Sequence, residues 1–175
     1  MGDPPCLVRA ATVGDLLGVV RLLERTPDIP FEGLSERQRE TWRQMLGTDG
    51  LTVYVAELDA DVAGTVSALV MPNLGYGCRP SAFVEAMIVA EAHRRRGIGR
   101  MLMESLLGDL RDASCDKVQL LSHKRHADDG AHDFYRALGF EPEAEGFRRY
   151  LASGAEPPPG VTDGADAAAR RPAHR

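Results

Sequence analysis

The sequence predicts a single mixed α/β domain followed by a C-terminal tail. Short runs rich in β-branched and apolar residues recur along the chain, as is typical of strands. Between them lie stretches with apolar residues at helical spacing, which indicate amphipathic helices. A length of 175 residues with 43% hydrophobic content is enough for one self-supporting core, so one domain is expected.

The N-terminal part predicts one strand followed by two helices. Residues 7–11 have a strand pattern, and Thr12 with Asp15 begins a helix as N-cap and acidic first-turn residue. Its apolar residues at helical spacing are Leu16, Val19, Val20 and Leu23. Ser35 and Gln38 form a capping-box pair that begins the second helix. That helix carries one stripe of Trp42, Met45 and Leu46.

The middle of the chain predicts three strands. Residues 51–58 and 62–71 are rich in β-branched residues, and the short Asp-Ala-Asp segment 59–61 joins them as a hairpin. After a loop at 72–80, residues 81–90 form another apolar run with β character.

The following elements are a helix, a strand, a helix and a strand. Residues 97–114 have a helical period with a buried stripe of Ile98, Leu102, Leu106, Leu110 and Ala113. Residues 117–122 predict a strand, 129–138 a helix closed by Gly139, and 147–151 a last strand.

The chain is expected to divide into a domain of residues 1–151 and a disordered tail of residues 152–175. The tail is rich in Ala, Gly and Pro and has almost no large apolar residues, so it cannot bury enough surface to order itself.

Charge and composition exclude several classes of protein. A formal net charge of -5 argues against a nucleic-acid partner. No segment approaches the about 18 apolar residues of a membrane span, and the start lacks a secretion signal. The odd, scattered cysteines Cys6, Cys78 and Cys115 suit reduced thiols. A cytoplasmic protein without membrane contact is expected.

The segment 91–100, between a strand and an amphipathic helix, has the composition of an anion-binding turn. Gly97 and Gly99 allow a tight turn whose N–H groups converge where the helix dipole favours negative charge. Charge-assisted donors are added by Arg94, Arg95, Arg96 and Arg100. A pyrophosphate would fit, although a basic helix start with glycines for packing explains the turn alone equally well.

Two blocks of sequence resemble the GNAT N-acetyltransferase superfamily. Arg94-x-x-Gly97-x-Gly99, directly after the strand of residues 83–89, resembles the R/Q-x-x-G-x-G/A acetyl-coenzyme A signature. Residues 131–140, AHDFYRALGF, resemble the A-x-x-F-Y-x-x-x-G-F stretch of the same family. Two blocks in the right order are more specific than one, and element order extends the resemblance over residues 7–151.

The resemblance implies a central mixed, mostly antiparallel twisted sheet of six to seven strands, with about four flanking helices and a splay between the fourth and fifth strands. It also implies acetyl-CoA as co-substrate, no metal, and a homodimer. The pantetheine would pair with the backbone of Met87, Ile88 and Val89. The pyrophosphate and neighbouring groups would be held by Arg94, Arg95, Arg96, Gly97, Ile98, Gly99 and Arg100, with Asp128 and Tyr135 as further candidates. Asp128 stands where many relatives carry Asn.

Two residues are the candidates for catalysis. Glu85 lies in an apolar strand in phase with Phe83 and Met87, where partial burial would raise its pKa toward that of a general base. A solvent-facing or ion-paired structural glutamate is the alternative. Tyr135 is similar to the family tyrosine that can protonate the departing thiolate, whereas packing along its helical stripe is the alternative.

The remaining candidates do not identify the acceptor. The histidines do not form a metal-ligand pattern, and His93, His123, His126 and His132 are expected in loops or on the surface. Contact with the cofactor is the alternative for His132, which stands three residues before Tyr135. Trp42 is core or, as in relatives, a wall of the acceptor pocket. A small-molecule primary amine is the predicted acceptor. Acetylation of protein amino groups, or a non-catalytic binding module, stays open.

Overall fold

The computed structural model describes residues 5–123, 126 and 129–147. The main elements in chain order are β1 (Leu7–Ala10), α1 (Leu16–Glu24), α2 (Glu36–Leu46), β2 (Leu51–Leu58), β3 (Asp61–Met71), β4 (Ser81–Val89), α3 (Ile98–Asp112), β5 (Lys117–Leu120) and α4 (Ala131–Arg136). The five strands form one sheet in the order β1-β2-β3-β4-β5. Neighbours are antiparallel except β4 and β5, which are parallel. The predicted mixed, mostly antiparallel sheet is confirmed.

Side chains before α1 and α2 set where these helices begin. The carboxylate of Asp15 accepts a hydrogen bond of 2.6 Å from the backbone N–H of Thr12. Ser35 Oγ accepts from the N–H of Gln38 at 3.2 Å, and Gln38 Oε1 accepts from the N–H of Ser35 at 2.8 Å. Both predicted capping pairs are confirmed, and they satisfy N–H groups that the first helical turn leaves without partners.

The hairpin between β2 and β3 turns through two residues. Asp59 and Ala60 have φ of 52° and 67°, and Asp61 already pairs with Leu58. Left-handed backbone at both central positions matches the twist of the flanking strands. The turn is therefore one residue shorter than the predicted segment 59–61.

Helices cover both faces of the sheet. On one face α1 and α2 enclose a cluster that comprises Leu16, Val19, Val20, Leu34, Trp42, Val53 and Val55. On the other face α3 packs against β3 and β4 through Ile98, Leu102, Met103, Leu106 and Leu110. Ala113 was predicted to be buried but is exposed, because α3 ends at Asp112. Leu23 is 45% exposed although it follows the α1 periodicity.

The fourth and fifth strands separate where the splay was expected. Their parallel pairing runs from Ser81 and Lys117 to Val84 and Leu120. β5 ends there, whereas β4 continues to Val89 and pairs only with β3 among the described residues. One backbone edge of the second half of β4 is therefore left without a neighbouring strand in the described part of the chain.

The predicted total of six to seven strands is not confirmed. The chain divides into two compact units, Met1–Glu141, which carries every element above, and Pro142–Arg175. Of the predicted last strand 147–151 only Phe147 is described, and it is not in a strand. The predicted tail lies outside the described residues, so its boundary stays a prediction. Among the described helices, none has the length and apolar character needed to cross a membrane.

Candidate active site

A β-bulge interrupts β4 at Ala86. Ser67 pairs with Glu85 and Thr65 pairs with Ile88, so β4 contains one residue more than β3 over this stretch. Ala86 takes the left-handed conformation, with φ of 55°. An extra residue reverses the inside-outside alternation of a strand. The bulge is a feature that the sequence pattern did not indicate.

The bulge places Glu85 and Met87 on opposite sides of the sheet. Glu85 shares its face with its register partner Ser67, which lines the space under α1 and α2. Met87 packs with the core cluster beneath α3. The prediction that Glu85 lies in phase with Met87 is therefore wrong, because it assumed an unbroken strand.

The Glu85 side chain is exposed, which corrects the expected partial burial. This exposure matches the solvent-facing alternative, whereas the ion-pair alternative finds no support, because Glu85 forms no ion pair with the described residues. Its backbone is fixed, since the Glu85 carbonyl accepts a hydrogen bond of 3.2 Å from Ser67 Oγ. Glu85 is thus a solvent-accessible carboxylate on a backbone held by β3.

The turn before α3 has backbone suited to an anion. Arg95 and Gly97 have φ of 61° and 82°, and Gly97 is the N-cap of α3. The Gly97 carbonyl accepts from Met101 at 3.0 Å, so the N–H groups of the first helical turn have no partner inside the helix. A Cβ added at Gly97 would meet nothing within 4 Å. Backbone donors, positive dipole and open space coincide here.

Gly99 serves packing as well as exposure of the backbone. A Cβ at this position would lie 3.0 Å from Met87 Cε and 3.4 Å from Phe134 Cζ. The absence of a side chain therefore lets β4 and α4 approach α3. The sequence left two interpretations of the glycines, an anion-binding turn or close packing. Close packing applies to Gly99, whereas Gly97 is surrounded by open space and contributes no such packing.

The arginine side chains of the turn are exposed at its surface. Arg94 Nε donates to the Val89 carbonyl at 3.4 Å, and Arg100 lies 3.4 Å from Glu104 Oε1. Arg96 lies 3.2 Å from His93 Nδ1. The contacts of Arg94 and Arg100 are long and solvent-exposed, so these two guanidinium groups can turn toward an anion at low energetic cost.

Tyr135 lies in α4 with its ring packed and its hydroxyl without a hydrogen bond to the described residues. Its ring meets Phe134 and Phe140 edge-on, with centroids 5.2 Å and 6.0 Å away. Burial raises the pKa of the Tyr135 phenol above its ordinary value. Tyr135 therefore keeps its proton through neutral pH, as a proton donor must.

One histidine departs from the expected surface position. His132 is the second residue of α4. Its Nε2 atom is buried and has no hydrogen-bond partner among the described residues. Asp128, predicted to contact the cofactor, lies outside the described residues. No group of His, Cys, Asp and Glu side chains in the described part of the chain is arranged to hold a metal ion.

A cavity of about 430 Å³ lies between α1, α2 and the sheet. Its apolar walls include Leu16, Val19, Val20, Trp42, Met45 and Val53. It reaches β4 at Ala86, the bulge residue next to Glu85. Trp42 is both core, at 3% exposure, and a wall of this cavity, so the two interpretations of this residue apply together. The loop residues 27–34 and 72–80 do not line it.

The predicted site residues come from three neighbouring parts of the fold. The cavity meets β4 on one face. The edge of Met87–Val89, which is unpaired in the described part of the chain, follows directly after it. The α3 turn joins this group through the contact between Gly99 and Met87, and α4 joins it through Phe134, the neighbour of Tyr135. The sequence missed Ala86, Thr65 and Ser67, because their part depends on the bulge.

These features define a mixed α/β domain in which a bulged central strand runs between an open cavity and a helix start whose backbone is suited to an anion. The family model of the acetyltransferase (GNAT) family matches residues 4–140, and the chain belongs to that family.

Solved structures share the fold. A protein from Agrobacterium tumefaciens str. C58 assigned as an acetyltransferase is 33% identical, with 83% of this chain and 99% of that chain covered and a TM-score of 0.74. Glucosamine-6-phosphate N-acetyltransferase from Arabidopsis thaliana is 18% identical over 85% of this chain and 99% of that chain, with a TM-score of 0.71. Aminoglycoside N-acetyltransferase AAC(6')-Iy, solved with CoA, is 21% identical over 87% and 97%, with a TM-score of 0.67.

Proposed function

We propose that this chain is an acetyl-CoA-dependent N-acetyltransferase that acts on the primary amine of a small molecule. The observation that carries the proposal is the cavity between α1 and α2, which reaches β4 at the bulge residue Ala86. Directly beyond the bulge, one edge of β4 pairs with no strand among the described residues, and the α3 turn lies close by. An acceptor in the cavity and a thioester along that edge would meet at one point of one strand.

The residues present fit acetyl-CoA. The N–H groups at the start of α3 would hold the pyrophosphate, where Gly97 leaves space and Arg94, Arg95, Arg96 and Arg100 supply positive charge. The backbone of Met87–Val89 would pair with the pantetheine. Bound acetyl-CoA supplies the acetyl group as an activated thioester.

In the proposed reaction the amine nitrogen bonds to the acetyl carbon while the carbon–sulfur bond breaks. Glu85 takes the proton that the amine loses; because its carboxylate is exposed, a water molecule can carry that proton. Tyr135 gives its phenolic proton to the leaving thiolate. Glu85 thus assists formation of the nitrogen–carbon bond, and Tyr135 assists cleavage of the carbon–sulfur bond. Both steps take place in a ternary complex without a covalent enzyme intermediate.

An acceptor screen tests the proposal. Purified protein is first titrated with acetyl-CoA by calorimetry and then assayed for release of CoA thiol with small amines, with an N-terminal peptide and with a lysine peptide. We expect micromolar binding and turnover with small amines. Binding without turnover on any amine would make the chain a binding module, and turnover only on peptides would make it a protein acetyltransferase.

Two further parts of the proposal concern the whole protein. We propose a cytoplasmic location, supported by the free thiols of Cys6, Cys78 and Cys115. We propose a homodimer, supported by family resemblance alone. Light scattering of the purified protein distinguishes a dimer from a monomer.

A further inference from the structure

Among the residues that the structure describes, the interior of the α1–α2 cavity has hydrogen-bond acceptors but no unused side-chain donor. Thr65 Oγ1 donates to a backbone carbonyl of β2 at 2.9 Å, and Ser67 Oγ donates to the carbonyl of Glu85 at 3.2 Å. Trp42 Nε1 donates to the carbonyl before α1 at 3.1 Å. Each hydroxyl oxygen keeps lone pairs that can still accept. The interior therefore suits a ligand that donates through N–H, and not a phosphate or carboxylate.

Charged side chains of the lining stand only at the mouth. Glu24 and Arg37 both line the cavity and both are exposed. Gln38 Nε2 donates to Glu24 Oε1 at 2.8 Å and so connects α2 to α1 across this mouth. No charged side chain of the described residues lines the interior, so a charge carried deep into the cavity would lose its hydration without gaining an ion pair there.

The apolar walls continue to the rim. Leu23 lines the cavity although it is 45% exposed, and Thr41 lines it from an exposed position on α2. An exposed leucine beside an apolar cavity extends the surface on which an apolar ligand can rest. A volume of about 430 Å³ lies within the roughly 300–1,000 Å³ of small-molecule sites.

We propose that the acceptor is a primary amine on an uncharged alkyl or aryl body. The body fills the cavity against Val20 and Trp42, and the amine lies at the Ala86 end beside Glu85. The inference rests on the proposed function, because it assigns this cavity to the acceptor. Phosphorylated and carboxylated amines are poor ligands for it, since the interior side chains leave their oxygen atoms without donors. Hydroxyl-rich amines are poor ligands because most of the lining is apolar and would leave their hydroxyl groups without partners.

A series of straight-chain amines tests the apolar character directly. The probes are n-propylamine to n-octylamine at saturating acetyl-CoA, with turnover followed by thiol release. We expect kcat/KM to rise about fourfold for each added methylene until the cavity is filled. A flat series, or higher kcat/KM for glucosamine than for n-hexylamine, would overturn the apolar assignment and leave the acetyltransferase assignment intact.

Matched polar probes separate the other acceptor classes. 6-Aminohexanoate has the chain of n-hexylamine with an added carboxylate, and we expect at least about tenfold lower kcat/KM for it. A peptide with N-terminal methionine represents a protein acceptor, because it offers an amine next to an apolar side chain. Higher kcat/KM for that peptide than for every alkylamine would overturn the inference in favour of a protein acceptor.

Variants at the rim test the location without disturbing the core. Thr41→Trp fills the cavity, and Leu23→Asn removes apolar surface from its mouth. Each should lower kcat/KM for n-octylamine about tenfold with unchanged acetyl-CoA affinity. Gln44→Trp, at an exposed α2 position outside the lining, is the control and should behave as wild type.

A binding measurement keeps the inference separate from catalysis. n-Octylamine is titrated by calorimetry into the protein with CoA present, and we expect binding that Thr41→Trp weakens. Octylamine binding without acetyl transfer would contradict the proposed function but not the cavity assignment. Unchanged octylamine binding by Thr41→Trp and Leu23→Asn would overturn the assignment of the cavity.

Discussion

At the residue scale, the two catalytic candidates stand in opposite surroundings. Glu85 is an exposed carboxylate on a backbone fixed by Ser67, whereas the Tyr135 ring is packed between Phe134 and Phe140. An exposed carboxylate can exchange protons with water, and a covered phenol keeps its proton. This difference supports the proposed roles of Glu85 as the base and Tyr135 as the acid.

Glu85→Gln and Tyr135→Phe should therefore respond differently to pH. Glu85→Gln removes the base, so we expect a 10²–10⁴-fold lower kcat near neutral pH, in the range of general-base catalysis, and a smaller loss at alkaline pH where more amine is already deprotonated. Tyr135→Phe slows departure of the thiolate, and raising the pH should not restore its rate. The measurement is kcat against pH on one accepted amine.

Matched variants control for this comparison. Glu40→Gln and Tyr76→Phe change exposed residues of the same type away from the cavity and should behave as wild type. Wild-type rates for both Glu85→Gln and Tyr135→Phe would remove the assigned roles and leave catalysis to positioning alone.

At the element scale, the start of α3 and the second half of β4 form one unit. Because Gly99 has no side chain, Met87 and Phe134 can pack closely against it, and this packing holds the helix start against the strand. Gly97 stands one residue before α3 in open space with φ of 82°. The two glycines therefore serve different purposes, and only Gly97 allows a test of backbone access without loss of packing.

Gly97→Ala should abolish most of the acetyl-CoA affinity of the folded protein. The added methyl group stands in open space at the turn where the pyrophosphate would approach the backbone. Gly139→Ala is the matched control, because its φ of 85° and its empty surroundings impose a similar strain of roughly 1–2 kcal/mol. We expect at least about tenfold weaker binding for Gly97→Ala alone, measured by calorimetry. Equal affinities of the two variants would contradict the assignment of the turn.

At the scale of the whole molecule, Arg9 joins three separate parts of the chain. From β1 it donates to Asp15, before α1, at 2.8 and 2.9 Å, and to Glu57 of β2 at 2.6 Å. Hydrogen bonds from Arg9 hold the pKa of Asp15 below its ordinary value, against the effect of burial. The arrangement fixes α1, and with it one wall of the cavity, to the edge of the sheet.

Asp15→Asn should lower the free energy of unfolding by about 1–3 kcal/mol, as for a hydrogen bond to a charged group. Because the pKa of Asp15 is lower in the folded state, the ionised carboxylate stabilises the fold at pH above its unfolded value of about 4, and this contribution is lost as pH falls. The variant should therefore lose less stability than wild type on acidification. Urea denaturation at pH 7 and at pH 3.5 measures this.

Asp28→Asn removes an exposed carboxylate and serves as the control. It should keep the stability and the acid dependence of wild type. If Asp15→Asn showed the same acid dependence as wild type, another group would be responsible for the acid sensitivity of the fold.

The sequence alone determined the order of the elements and the family. Hydrophobic periodicity predicts each helix and strand up to α4, because burial of one face imposes a period on local sequence. Capping pairs such as Ser35 with Gln38 are local contacts, and the glycine and arginine turn before α3 is a local motif. Such features need no knowledge of distant parts of the chain, which is why the structure confirms the capping pairs.

Only the tertiary structure decided the geometry of the site. The bulge at Ala86 depends on the pairing of β4 with β3, and it reverses the side that Met87 faces, which periodicity within β4 alone does not reveal. The packing role of Gly99 arises from contact with Met87 and Phe134. The cavity exists because α1 and α2 leave space over β2, β3 and β4, and its lack of unused donors follows from hydrogen bonds between strands. These are contacts between residues far apart in sequence, and they decide what the site can bind.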